Sequence, residues 1–155
     1  VAASGSHSFT ARVTDELGRT ADRALTLVVV DPVAVTTSSL PQATTGTAYS
    51  TTLAATGGTG PYTWSAVGLP AGLSLSFAGT ISGTPTSAVN ATVTLTAADS
   101  GSPVRSANRS LTLVVAAPLA ITTSTLPNAT RSVAYSTTLA ATGGSGTRKI
   151  GRAHV

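Results

Sequence analysis

Acid–base chemistry needs ionisable side chains held in pairs, and this sequence offers few. Before residue 148 the candidates are Asp15, Glu16, Asp22, Asp31, Asp99 and His7. Between residues 33 and 118, Asp99 is the sole carboxylate and there is no His, so a catalytic carboxylate pair cannot form within that span. Ser50, Ser74 and the other serines have no base near them in sequence, and no Gly-x-Ser-x-Gly elbow surrounds any of them. The run Gly57-Gly58-Thr59-Gly60 lacks the Lys and the following helix of a phosphate loop. The absence of Cys removes thiol nucleophiles, disulfides and Cys zinc sites. We expect no catalytic residues, no cofactor and no enzyme.

The charge balance does not point to nucleic acid either. The formal net charge is +4. Three of the nine basic residues, Arg148, Lys149 and Arg152, lie in the last eight positions; without them six basic residues face five acidic ones. No basic patch carries interleaved aromatics. Lys149–Val155 reads KIGRAHV, of which Ile-Gly-Arg-Ala-His-Val resembles read-through of a common sequencing adapter, so 148–155 is expected to be a non-native tail, the alternative being an ordinary basic tail; in either case His154 is no ligand. There is no initiator Met, as expected of a processed protein or a fragment, and Val1–Gly5 is not a signal peptide. No apolar run reaches the roughly 18 residues needed to span a membrane.

The elements that would position any site follow from an internal repeat. Val35–Gly60 reads VTTSSLPQATTGTAYSTTLAATGGTG, and Ile121–Gly146 reads ITTSTLPNATRSVAYSTTLAATGGSG, 86 residues further on. Leu25–Val29 matches Leu111–Val115, and Pro32 matches Pro118, at the same offset. Asp15 matches Asp99 at an offset of 84, because the second copy has a loop two residues longer. Such periodicity outranks local pattern. It divides the chain into the end of one unit (1–32), a complete unit (33–118) and the start of a third (119–147). Thr147 stands where Pro61 predicts a Pro, which is where the foreign tail begins.

Composition makes the complete unit all-β. There are 29 Thr, many Val and Leu, 15 Gly and 8 Pro, a strand-and-turn mixture. Val33, Val35 and Thr37 alternate on a first strand. Tyr49, Thr51, Leu53 and Ala55 alternate on a second, and Tyr62 and Trp64 share a face on a third. Leu73, Leu75 and Phe77 share a face on a fourth. Ile81 stands on a short strand. Ala91, Val93, Leu95 and Ala97 line the next, and Leu111, Leu113 and Val115 the last. No stretch reads as a three-turn helix. Frequent turns between short strands predict a sandwich. Its expected core is Tyr49, Leu53, Trp64, Leu73, Leu75, Ile81, Val93, Leu95, Leu111 and Leu113, with Trp64 central.

In order, the chain carries Val/Ile-Thr-Thr-x-x-Leu-Pro, Tyr49-Ser50-x-x-Leu53, Gly57-Gly58-x-x-Pro61-Tyr62-x-Trp64 and Leu69-Pro70-x-Gly72-Leu73-x-Leu75. Gly79-x-Ile81-x-Gly83-Thr84-Pro85 and Asp99-Ser100 follow. Together these motifs resemble the immunoglobulin-like repeats of large bacterial surface and secreted proteins, a family related to dystroglycan-type cadherin-like domains. The resemblance covers one unit fully and two partly. It implies an immunoglobulin-like or cadherin-like β-sandwich, one complete tandem repeat flanked by two partial ones, outside or on the surface of a bacterial cell.

The function it implies is a structural spacer or stalk supporting adhesion performed elsewhere, with neighbouring repeats of the same chain as partners. The alternative is a carbohydrate- or protein-binding adhesion module, in which Tyr62, Phe77 and Arg105 could form a patch unless the two aromatics face inward. Related cadherin domains bind calcium between modules, which makes Asp15, Asp31 and Asp99 weak calcium candidates. Calcium takes six to eight oxygens, and Ala117 replaces Asp31 at the second junction, so we expect no metal site. The bland reading of Asp15 and Asp99 is a side chain satisfying loop amides. The sequons at Asn90, Asn108 and Asn128 are expected to be accidental in a Thr-rich bacterial chain.

Overall fold

The computed structural model of the chain describes residues 3–149. Among them every regular element is a strand, as β-branched residues and closely spaced turns dictate. β1 (Gly5–Thr14) and β2 (Thr20–Val29) form an antiparallel hairpin. β3 (Ala34–Val35), β4 (Ala43–Thr44), β5 (Tyr49–Thr52), β6 (Ala55–Thr56), β7 (Thr63–Val67), β8 (Leu73–Leu75) and β9 (Thr80–Gly83) are short. β10 (Val89–Ala98) and β11 (Ser106–Ala116) are long, and β12 (Ala120–Ile121) and β13 (Ala141–Thr142) are two-residue pieces. One sheet has the order β4-β11-β10-β7, a second β5-β9-β8, and β3 pairs with β6.

One core lies between these sheets. Ile81, Val93, Leu95, Ala97 and Leu113 are fully buried, and Trp64, Leu53, Tyr49, Val35, Val33 and Leu40 are buried around them. Leu73, Leu75 and Leu111 are half-buried against this cluster. Trp64 and Leu113 thus belong to one body. The hydroxyl of Tyr49 is buried there without a hydrogen-bond partner. Alternation on β10 and β11 works as period-2 geometry requires: Val93, Leu95 and Ala97 point inward from one strand, Leu113 and Val115 from the other.

Two expected strands come out differently. The run Tyr49–Ala55 is two strands, not one: β5 pairs with β9, whereas β6 pairs with β3 in another sheet. The break falls at Leu53 and Ala54. The Leu53 amide donates to Gly79 O (2.8 Å) and the Ala54 amide to Thr37 Oγ1 (2.8 Å), so neither continues a ladder. Phe77 does not share the inward face of Leu73 and Leu75. The strand ends at Leu75, Gly79 N donates to Ser76 O (3.0 Å), and this turn leaves Phe77 81% exposed.

The two hairpins share one register. Phe9 faces Leu25 and Ala11 faces Arg23, as Val93 faces Leu111 and Leu95 faces Arg109. Their burial differs. Phe9 and Leu25 are exposed, while Val93 is sealed. The same pairing register gives a core only where other strands cover the face.

Candidate functional site

At one end of the sandwich the start of β7 pairs with the end of β10, Thr63 opposite Ala98. Three connections converge there: residues 57–62, the turn 76–79 and the loop 99–105. Trp64 N donates to Phe77 O (3.0 Å), which sets the turn beside β7. Ser100 N donates to Thr59 O (2.9 Å), and Ser100 Oγ donates to Thr59 O and Gly60 O (3.0 and 2.8 Å), which ties the other two loops together.

Asp99 anchors this end. Its side chain is fully buried. Oδ1 accepts from the amides of Arg105 (2.7 Å) and Gly101 (3.3 Å), and Oδ2 accepts from the amide of Thr59 (3.1 Å). The Arg105 guanidinium stands 3.9 Å away. The Arg105 amide above all holds the carboxyl below its ordinary range; burial opposes this, and the Thr59 and Gly101 amides and the Arg105 charge reinforce it. A carboxyl whose folded pKa is depressed contributes stability that is full above the ordinary aspartate value and drains as pH falls through the depressed one. Unfolding of the unit around Trp64 is therefore expected to become easier as pH drops through and below the ordinary aspartate range. Asp99→Asn is expected to be less stable than the parent at neutral pH and to show a flatter pH profile. Urea midpoints read by Trp64 fluorescence across that range check both.

Asp15 performs the same task in the β1–β2 turn, where Oδ1 accepts from Leu17 N (3.0 Å) and Arg19 N (2.8 Å). Asp31 enters through its backbone, its carbonyl accepting from Gly58 N (2.7 Å). The fold thus brings Asp99 and the Asp31 backbone together around Gly58 and leaves Asp15 on the hairpin. Among the described residues no three His, Cys, Asp or Glu side chains are grouped to hold a metal. Both oxygens of Asp99 face N–H donors, a surrounding that suits an anion and repels a cation.

The three residues of the expected binding patch are used differently. Tyr62 packs against the core and its hydroxyl donates to Gly57 O (2.5 Å). Arg105 serves Asp99. The Phe77 ring stands in solvent, and part of the Arg105 side chain is exposed as well. Reasoning from sequence missed Gln42, Gly57, Gly58 and Ser145, although Gly57-Gly58 recurs as Gly143-Gly144. Gly58 N donates to Asp31 O, and Gly144 N donates to Ala117 O at the same 2.7 Å. None of the strands is a helix long and apolar enough to cross a membrane, and no such helix occurs among the described residues.

The model of the family described as "Putative Ig domain" matches residues 31–116, more than half of the chain. No curated protein matches. Two similar solved structures come from Bacteroides fragilis. One, described as a "putative alpha-galactosidase/melibiase", is 20% identical with a TM-score of 0.48. The other, described as a "putative alpha-galactosidase", is 27% identical with a TM-score of 0.48. Each match covers 54% of this chain, which spans 17% of the length of either solved protein.

Proposed function

The chain belongs to the immunoglobulin-like family whose model matches residues 31–116, and from that premise we propose that it is a non-catalytic, adhesion-type section of a larger protein exposed outside a bacterial cell. Residues 33–118 are one complete module, 1–32 the end of the module before it and 119–147 the start of the next; 148–155 are a non-native tail. Kinship with dystroglycan-type cadherin-like domains is supported by the sequence motifs.

The module is read as a binding element for a carbohydrate or protein surface. The observation that carries this is Phe77: it is 81% exposed on a turn that is hydrogen-bonded to Trp64 at the centre of the core. An aromatic face held rigidly in water can stack on a sugar ring or a partner's apolar patch at little cost in side-chain freedom. Affinity electrophoresis of the chain through gels containing a panel of bacterial and plant polysaccharides tests the reading. Retardation by at least one of them, abolished in Phe77→Ala, is the expected outcome. Free migration through every gel would leave the spacer reading in its place.

That second reading has its own support. Thr36 N donates to Ala54 O (2.9 Å) and Thr122 N to Ala140 O (2.8 Å). Ala34 pairs with Thr56, and Ala120 with Thr142. Near-identical units repeated at a fixed offset suit a stalk that sets distance.

A further inference from the structure

The linkers between the units are held by the units that follow them. At the first junction Gly58 N donates to Asp31 O. Gly57 has φ +74°, and a Cβ there would run into the carbonyl oxygen of Pro32. At the second junction Gly144 N donates to Ala117 O, Gly143 has φ +73°, and a Cβ there would run into the carbonyl oxygen of Pro118. Only glycine permits that approach in that conformation. The Gly57 carbonyl also accepts from the Tyr62 hydroxyl.

Very little chain lies between the two holds. Ala116 O accepts from Thr45 N (2.9 Å) in the preceding unit, and the next carbonyl, that of Ala117, is taken by Gly144 of the following unit. Adjacent residues are thus bonded to opposite sides of the junction. A side-chain contact spans it as well: Ser145 Oγ lies 3.0 Å from Nε2 and 3.1 Å from Oε1 of Gln42. Gly144 and Ser145 border a 470 Å³ groove whose other wall includes Val89, Asn90, Val115 and Ala116. This groove lies at the end where β11 finishes. The linker into the module, by contrast, is held near the end of β10, where Asp99 flanks Gly58. The chain therefore enters the module at one end and leaves at the other.

We infer that the Gly-Gly pair is a linker clip, and that the end of the module around Gln42, Asn90 and Ala116 is the docking surface for the Gly-Gly loop of the next unit. Resting on the modular reading above, this makes the junction a metal-free fixed joint with no hinge residue. Pro32 and Pro118 add stiffness but do not by themselves set an angle; the clip does.

The test uses the full chain, which has no Cys of its own, with Val104→Cys and Val133→Cys carrying spin labels at two exposed positions on either side of the junction. The expected distance distribution is a single narrow peak, unchanged by EDTA. Gly143→Ala broadens it by about twofold or more, as a released linker would. Gly146→Ala does not: Gly146 has φ +75°, but a Cβ there meets nothing within 4 Å. It therefore carries the same backbone strain without the clash. Gln42→Ala, which leaves the β12–β13 pairing untouched, also broadens the peak. A broad peak in the parent, or equal responses to Gly143→Ala and Gly146→Ala, overturns the clip. Trp64 fluorescence separates the two levels. A cooperative urea transition alongside a broad peak defeats the clip alone, whereas a non-cooperative transition defeats the modular reading with it.

Discussion

Trp64→Ala is expected to lower the stability of the unit by about 3–5 kcal/mol, the cost of emptying a large buried site. Trp64 is 4% exposed. Its strand joins the β10 edge of the main sheet, and its amide holds the turn that carries Phe77. A unit of this size holds about 5–10 kcal/mol in total, so the variant sits near the edge of folding. Trp64→Phe keeps most of the apolar volume and is expected to lose less. Urea titration followed by far-ultraviolet circular dichroism measures both, with the slope unchanged if the native surface is preserved. A loss below about 1 kcal/mol for Trp64→Ala would mean that the core does not depend on this ring.

Gly79→Ala is expected to cost about 3 kcal/mol, combining left-handed backbone strain with overpacking. Gly79 has φ +92°, and a Cβ there would sit 2.7 Å from Cδ1 and Nε1 of the Trp64 indole. Trp64 is buried within the core cluster, so the ring is expected to resist withdrawal. The two sites must therefore be coupled. In the Trp64→Ala background the clash disappears and only the strain remains, so the double variant should be more stable than the sum of the single losses predicts, by about 1–2 kcal/mol. Gly46→Ala supplies the reference: φ is +76° with open space around it, so it reports strain alone. Additive losses at Gly79 and Trp64 would show that the indole moves aside.

The main strands were legible because a strand has a period of two. Val93, Leu95 and Ala97 alternate with Thr on β10, and only one face of that alternation can be buried. The same rule misled at Phe77, which keeps the period of Leu73 and Leu75. The chain leaves the sheet after Leu75, because the hydrogen bond from Gly79 N to Ser76 O and the positive φ of Gly79 close a turn there. Tyr49–Ala55 looked continuous for a related reason. Alternation says which way side chains point, but not which neighbour each amide finds.

Asp99 stood out in the sequence as an acid that recurs at Asp15. Its partner Thr59, 40 residues away, did not. The same holds for Gly57 and Gly58. Their repetition was visible, but the linker carbonyls that require them could be seen only once the loop had folded back onto residues 31 and 32.

By itself, the sequence determined the 86-residue period, the all-β character, the inward faces of the long strands and the lack of a carboxylate pair within 33–118. These follow from composition and from spacing along the chain. The tertiary structure alone decided that Asp99 faces three amides, that Phe77 faces water and that the amides of Gly58 and Gly144 meet the carbonyls of Asp31 and Ala117. Those are meetings through space between residues far apart in sequence, and no periodicity along a chain encodes which distant backbone group will arrive beside a given side chain.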